Sequence, residues 1–401
     1  MAHVVGFVAG LLLIALVLVD AFETVVQPRR VTRRVRMTRF FLFASWALWT
    51  GAARRLPGRA GWEGSTARDR RLGVYGPLAL LLLLGLWATA LVVGFALVHL
   101  GLGSALTTVG EPGFFSDLYL SGTTFFTLGL GDVVPNSRAA RLVTVAEAAT
   151  GFSFLALVIG YLPTIYGAFS AREVRILLLD ARAGSPPSAV GLFERLGPDI
   201  DPTEVDTFLR EWEHWAGDLL GSQLSYPVLV FFRSQHERQS WLAALTMILD
   251  ACSLLLVGLE SATGPLPRRQ ARFTFAVARH AVGDLSQITN SPPRPSAPDR
   301  LPPAALARLR TSLAAAGLTL RLDDSAARAL ADLRALYEPY VAAMAERLRF
   351  ALPPWAPATD EEDDWSTTAW QTDPAAALRA VGWDTSRGNG HREEWVNSEF
   401  D

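Results

Sequence analysis

Three apolar runs, at residues 4–26, 74–100 and 142–168, constrain this chain more than any other feature. Each is long enough to cross a hydrocarbon core of roughly 30 Å as a helix. Within such a core every backbone amide and carbonyl must be paired. That leaves helices, or irregular backbone that lines a water-filled path. The first run is interrupted only near its end by Asp20, Glu23 and Thr24. No Arg or Lys precedes it and no small-residue cleavage pattern precedes Asp20, so it is read as a span rather than a signal peptide.

Charge orients these runs. Residues 28–72 carry twelve Arg against Glu63 and Asp69 only, and Lys is absent from the whole chain. With abundant Ala, the exclusive use of Arg points to a GC-rich bacterial genome. Basic residues favour the cytoplasmic side, so the N-terminus is expected outside and the Arg-rich block inside. The second run then leads outward and the third returns inward. A shorter aromatic stretch at 40–53 has Arg on both flanks, which suits a helix lying in the inner interface. Arg30, Arg33, Arg36 and Arg39 recur every third residue, as in a voltage sensor, but they lie outside any span. They are read, with the rest of Arg29 to Arg39, as a stripe that meets anionic lipid headgroups.

The outer connection between the second and third runs, residues 101–136, holds an apolar stretch at 114–126 that is too short to span. It is a candidate re-entrant helix. Directly after it comes Thr127-Leu128-Gly129-Leu130-Gly131-Asp132. A cation leaving water needs oxygen ligands that replace its hydration shell without trapping it, and a ring of backbone carbonyls meets that need. For successive carbonyls to face one way, the backbone must alternate ordinary and left-handed conformations, which Gly129 and Gly131 permit without steric cost.

This string resembles the Thr-Val-Gly-Tyr-Gly-Asp filter of the potassium-channel family, in its two-transmembrane pore-loop form, itself a standard example of carbonyl coordination. The resemblance covers roughly residues 74–171: outer helix, pore helix, filter and inner helix. It implies a homotetramer with permeant K+ bound by Thr127, Leu128, Gly129 and Leu130, Gly131 completing the filter. Asp132 is expected to brace the filter mouth or to cap its loop. The family's gating hinge falls on Gly151, which otherwise reads as a packing glycine; Gly160 and Pro163 are further candidates for bending. Leu130 stands where the family has Tyr, and Phe126 where a second Thr is common. Apolar support by Phe125, Phe126 and Leu130 is the expected substitute. Glu147, on the outer part of the third run, faces either the re-entrant helix or a neighbouring copy.

Beyond Arg172 the sequence reads as soluble. Asp201 is placed to cap a helix starting at Pro202, with Val205, Phe208, Leu209, Trp212, Trp215 and Leu219 on one face. Further helices are expected at 237–259, 270–288, 303–316 and 326–352, with the Pro-rich stretch 291–303 dividing the region. The nearly apolar stretch 241–259 carries Asp250 at its centre and reads as a buried core helix rather than a span. His214, His236, His280, Asp250 and Cys252 have no recognised metal-ligand spacing, and Cys252, the only cysteine, excludes an intrachain disulfide. No dinucleotide, phosphate-loop or hydrolase motif occurs.

The expected whole is an all-α membrane protein: an N-terminal span (1–26), a basic interfacial segment (27–73), a potassium-channel-like pore module (74–171), a helical cytoplasmic domain with an unknown ligand or protein partner (172–352) and an acidic disordered tail (353–401). It is expected to lie in the bacterial inner membrane, to bind no nucleic acid, to hold no cofactor besides permeant K+ and not to be an enzyme. A non-conducting receptor that keeps the pore fold, and a non-selective cation channel, are the alternatives.

Overall fold

The computed structural model of the 401-residue chain describes residues 1–25, 37–53, 67–104, 106–108, 113–234, 236, 238–294, 299–321 and 323–356. The Arg-rich stretch from Arg29 to Arg36 and the acidic tail beyond residue 356 lie outside the described residues. Two compact units emerge. The first draws on Met1–Leu56, Arg71–Phe169 and Leu224–Phe232, and the second on Ser170–Gln223 and the described residues from Arg233 on.

The first unit contains α1 (Ala2–Val25), α2 (Met37–Ala53), α3 (Ala67–Gly101), the short strand β1 (Leu106–Thr108), α4 (Phe114–Phe125), β2 (Val133–Pro135) and the start of α5 (Arg138–Ala183). Three of these helices are long and apolar enough to cross a membrane: His3–Val25, Arg70–Gly101 and Arg138–Ala183. The chain is thus a multi-pass membrane protein with a large helical extramembrane region. The third spanning helix exceeds expectation: at 46 residues and 1.5 Å per residue it reaches roughly 70 Å. It passes through Pro163 and ends at Gly184, whose φ is +94°.

Helices α1 and α3 meet through glycine. A Cβ on Gly10 would stand 2.5 Å from the Gly94 carbonyl oxygen, and one on Gly101 would stand 2.5 Å from Cβ of Phe7. Gly6 and Gly10 are one turn apart, the spacing that lets membrane helices approach backbone to backbone. The remaining core joins Val17, Leu83, Trp87, Leu91 and Phe95 to Phe125 of α4. Asp20, buried in α1, accepts hydrogen bonds from the backbone N–H of Thr38 (3.2 Å), from its hydroxyl and from Trp87 Nε1 (3.0 Å). One carboxylate therefore ties α1 to α2 and α3.

Helix α2 buries Leu42 and Trp46, and the Tyr75 hydroxyl donates to the Leu42 carbonyl at 2.7 Å. The same aromatic cluster takes in Phe231, with ring centroids 5.3 Å from both Trp46 and Tyr75. Residues 224–232, inside the stretch expected to be the cytoplasmic domain, thus pack within the first unit. Tyr226 meets Tyr161, and Phe232 meets Phe169, on α5.

The second unit is mainly helical. It comprises α6 (Ala189–Leu196), α7 (Pro202–Ser225), α8 (Trp241–Val257), β3 (Leu259–Ser261), α9 (Arg268–Ile288), α10 (Pro303–Ala315), β4 (Leu318–Leu320), α11 (Asp324–Ala335) and α12 (Glu338–Leu348). Asp201 accepts from the Thr203 amide at 2.8 Å, as its capping role requires. The apolar face expected on α7 is buried. Every residue of α8 from Trp241 to Leu255 is buried, with α6, α9, α11 and α12 packed around it. Helices on both sides of the Pro-rich stretch 291–303 thus share α8, so that stretch does not separate two cores.

Two details differ from the sequence expectation. The helix expected over 326–352 is two helices, because Pro339 lacks an N–H and restricts the residue before it, breaking the run at Leu336 and Tyr337. Residues 353–356, expected to open the tail, are packed instead: Trp355 is buried, its carbonyl accepts from the Val190 amide at 3.1 Å, and Arg300 and Arg334 lie over its ring.

Candidate functional site

Helix α4 is a three-turn helix with Asp117, Leu120, Ser121, Thr123 and Phe125 buried. At its C-terminus the chain tightens: the Phe126 amide bonds to Gly122 O (3.1 Å) and the Thr127 amide to Thr124 O (3.1 Å). The Leu128 amide then turns back to Thr123 O at 2.7 Å, joined at 3.3 Å by that of Gly129. Orphan carbonyls at the helix end are thereby satisfied by the residues that follow.

The next stretch alternates in hand. Thr127, Gly129 and Gly131 have φ of +60°, +56° and +81°. Two of the three are glycines, as the sequence anticipates. The third is the β-branched Thr127, for which a left-handed conformation costs on the order of 1–3 kcal/mol and is retained only where the surroundings impose it. Residues 126–132 are exposed in the single chain, with Leu128 and Leu130 each at 64%.

This stretch is held at both ends. Asp132 accepts from the Tyr119 hydroxyl of α4 at 2.9 Å and from the Val133 amide at 3.1 Å. Strand β2 then pairs antiparallel with β1, Leu106 opposite Pro135 and Thr108 opposite Val133. Arg141 Nε donates to the Pro135 carbonyl at 3.2 Å, and Ser137 Oγ accepts from the Ala140 amide at 3.1 Å where α5 begins. Asp132 therefore both caps its loop and braces it against α4.

Phe125 is buried, its ring 5.7 Å from Phe154 of α5, whereas Phe126 and Leu130 are exposed in the single chain. Gly151 lies on α5 directly behind. A Cβ there would stand 2.1 Å from the Phe125 carbonyl oxygen, so α5 approaches the end of α4 with nothing but backbone between them. Gly160 has open space around its Cα. Pro163 removes one helical hydrogen bond, and the Thr164 hydroxyl donates to the Gly160 carbonyl at 2.8 Å. Glu147 is fully buried and lies 3.6 Å from His99 of α3, so it faces the interior rather than a neighbouring copy. His99 carries no motif and is 48 residues away in sequence; no local signal pairs the two. Among the described residues no group of His, Cys, Asp and Glu is arranged to hold a metal ion.

Residues 82–166 match a family described as "Ion channel". That span takes in α4, the alternating stretch, Gly151, Gly160 and Pro163. The family transports ions and is not catalytic, in agreement with a chain that is not an enzyme. The chain is also similar to the Uncharacterized membrane protein YdjJ of Bacillus subtilis (strain 168), 26% identical over 213 residues, which covers 51% of this chain and 61% of that protein. The chain thus matches less than two thirds of that relative's length. No solved structure matches.

Proposed function

We propose that this protein is a homotetrameric cation channel of the potassium type, passing K+ between the carbonyl oxygens of Thr127, Leu128, Gly129 and Leu130. The observation that carries this reading is the alternation of left-handed backbone at 127, 129 and 131 directly after the end of α4, inside the segment that matches an ion-channel family. Alternation turns successive carbonyls to one side, and four such stretches around an axis make stacked oxygen rings. Such rings bind a cation strongly enough for entry and weakly enough for exit. In this reading α4 is the pore helix and α5 the inner helix, with Gly151, Gly160 and Pro163 the places where α5 bends.

The surface of α5 supports assembly. Val145, Phe152, Ile159 and Tyr166 are all more than 60% exposed in one copy, and they recur every seven residues, which puts them on one face of a helix. The most apolar window of α5 is only 11% buried, against 50% for α3. A spanning helix with so little cover within its own chain suits a central position among four copies. In this topology α1 enters from outside, α3 leads out, α5 returns, and the second unit is cytoplasmic. The basic stretch from Arg29 to Arg39 would then meet anionic lipid at the inner surface, and the second unit would receive the ligand or partner that controls opening.

The test is K+ flux through the purified protein in liposomes beside Gly129→Asp, which adds a side chain at a left-handed position and a charge to the ring. The expected result is K+ flux in the native protein and none in the variant. Na+ flux equal to K+ flux, lost in the variant, would favour the non-selective channel. Absence of flux would favour a receptor that keeps the fold without conducting.

A further inference from the structure

Around α4, four polar side chains from three helices are buried together. His99 ends α3, Asp117 and Ser121 lie on α4, and Glu147 lies on α5; each is at most 1% exposed. Their hydrogen bonding is incomplete. Asp117 Oδ2 accepts from the Ser104 hydroxyl at 2.7 Å while Asp117 Oδ1 has no hydrogen-bond partner among the described residues, and Glu147 faces His99 and Ser121 without reaching good hydrogen-bond geometry to either. His99 Nε2 lies 3.6 Å from Glu147 Oε2, longer than a hydrogen bond.

We propose that His99, Asp117 and Glu147 form a buried proton-binding site whose occupancy controls conduction; this rests on the channel reading given above. The chemistry follows from charge. Two carboxylates and one imidazole, with no guanidinium in ion-pair contact among the described residues, carry a net charge of −1 even when the imidazole is protonated. A low-dielectric interior disfavours that charge, and one further proton removes it. Three titratable side chains buried together with incomplete hydrogen bonding are suited to bind and release that proton.

The surrounding titratable groups leave the site this role. His3 of α1 bonds the Leu100 carbonyl at 2.9 Å but is exposed. Tyr119 and Asp132 are bonded to each other on the exposed side of α4. Arg141 of α5 is exposed and is bonded to the Pro135 carbonyl.

Coupling to the conducting stretch is short and stiff. Asp117 and Ser121 lie on the same helix as Thr123, whose carbonyl holds the Leu128 and Gly129 amides. At the end of that helix the Phe125 carbonyl abuts Gly151 of α5 with no side chain between. A proton that draws Glu147 toward α4, or releases it, therefore shifts the platform on which residues 127–131 are built.

The experiment compares K+ flux in liposomes across about pH 5 to 8 for the native protein, Glu147→Gln and His99→Gln. The native flux is expected to change by about fivefold or more across that range, the low end of ordinary coupling between sites, and both variants are expected to lose the dependence. A flat native profile, or variants that keep the native profile, would overturn the proposal. Infrared difference spectra of the native protein over the same range read the protons directly. They should show a buried carboxylic acid band that disappears in Glu147→Gln or Asp117→Asn, and its absence from the native protein would also overturn the proposal. If no ion passes at any pH while the band titrates, the channel reading fails and conduction control fails with it, but the proton site itself stands.

Discussion

Gly151 shows how one residue can serve the site by having no side chain. In the interior of a helix, Ala is favoured over Gly by about 1 kcal/mol, so Gly151→Ala should stabilise α5 if only the helix matters. The Phe125 carbonyl oxygen stands 2.1 Å from where that methyl would go, and backbone cannot rotate aside as a side chain can. Gly151→Ala is expected to lower the melting temperature in detergent and to abolish flux; a higher melting temperature with flux intact would refute the close-packing account. The glycine itself was legible through the resemblance, which puts a hinge glycine at this position. That it packs against the end of α4 was not, since spacing along a chain does not report which backbone lies opposite. Thr127 is the converse case: the residue was expected at the site, but a β-branched residue gives no hint that it adopts a left-handed conformation.

Asp250 shows the value of reading polarity at a single position. Its helix is nearly apolar, and only the carboxylate separates a core helix from a span by composition. The side chain receives Arg300 NH2 at 2.7 Å, Arg300 NH1 at 3.2 Å and the Tyr337 hydroxyl at 2.6 Å. Burial pushes its carboxyl up, against the pull of Arg300. Arg300 goes on to Glu338 and to the Pro353 carbonyl, so the pair ties α8 to α12 and to the chain around Trp355. Removing one partner of such a buried pair costs about 3–5 kcal/mol. Cys252, on the same helix, is fully buried, and burial also holds its thiol well above the ordinary range. Its labelling by a maleimide in the folded protein therefore reports opening of the second unit. Asp250→Ala should speed labelling by about a hundredfold or more; an unchanged rate would mean that the pair contributes little.

At the scale of elements, the spans were readable because each carries its own apolar length, and the helices of the second unit because their faces repeat. Boundaries set by distant packing were not readable. The apolar stretch around Phe231 is only a few residues long and joins Trp46 and Tyr75, which are far from it in sequence. The contact between α1 and α3 was likewise hidden, although Gly6 and Gly10 have the spacing for it. Gly10→Leu forces a side chain into the Gly94 carbonyl and Val98. Overpacking of this kind costs about 1–3 kcal/mol, so the variant should melt several degrees lower. An unchanged melting temperature would show that α1 is not held to α3 by close glycine packing.

The whole molecule combines one exposed backbone stretch, one poorly covered spanning helix and one buried polar cluster, all within or beside the segment 82–166 that matches an ion-channel family. Each has a separate physical origin. Left-handed residues at 127, 129 and 131 concern local conformation, whereas the exposed stripe on α5 bears on the proposed assembly and the buried site at α4 on the proposed control. In the proposed channel they would meet in a single requirement, that carbonyl oxygens from several copies surround one ion. The reversal potential across a planar bilayer holding the purified protein, with K+ on one side and Na+ on the other, tests that requirement most directly. The expected result is a potential strongly displaced toward that of a K+-selective membrane, with the current lost in Gly129→Asp. A potential near zero would contradict potassium selectivity, and a current that survives Gly129→Asp unchanged would contradict the carbonyl pathway itself.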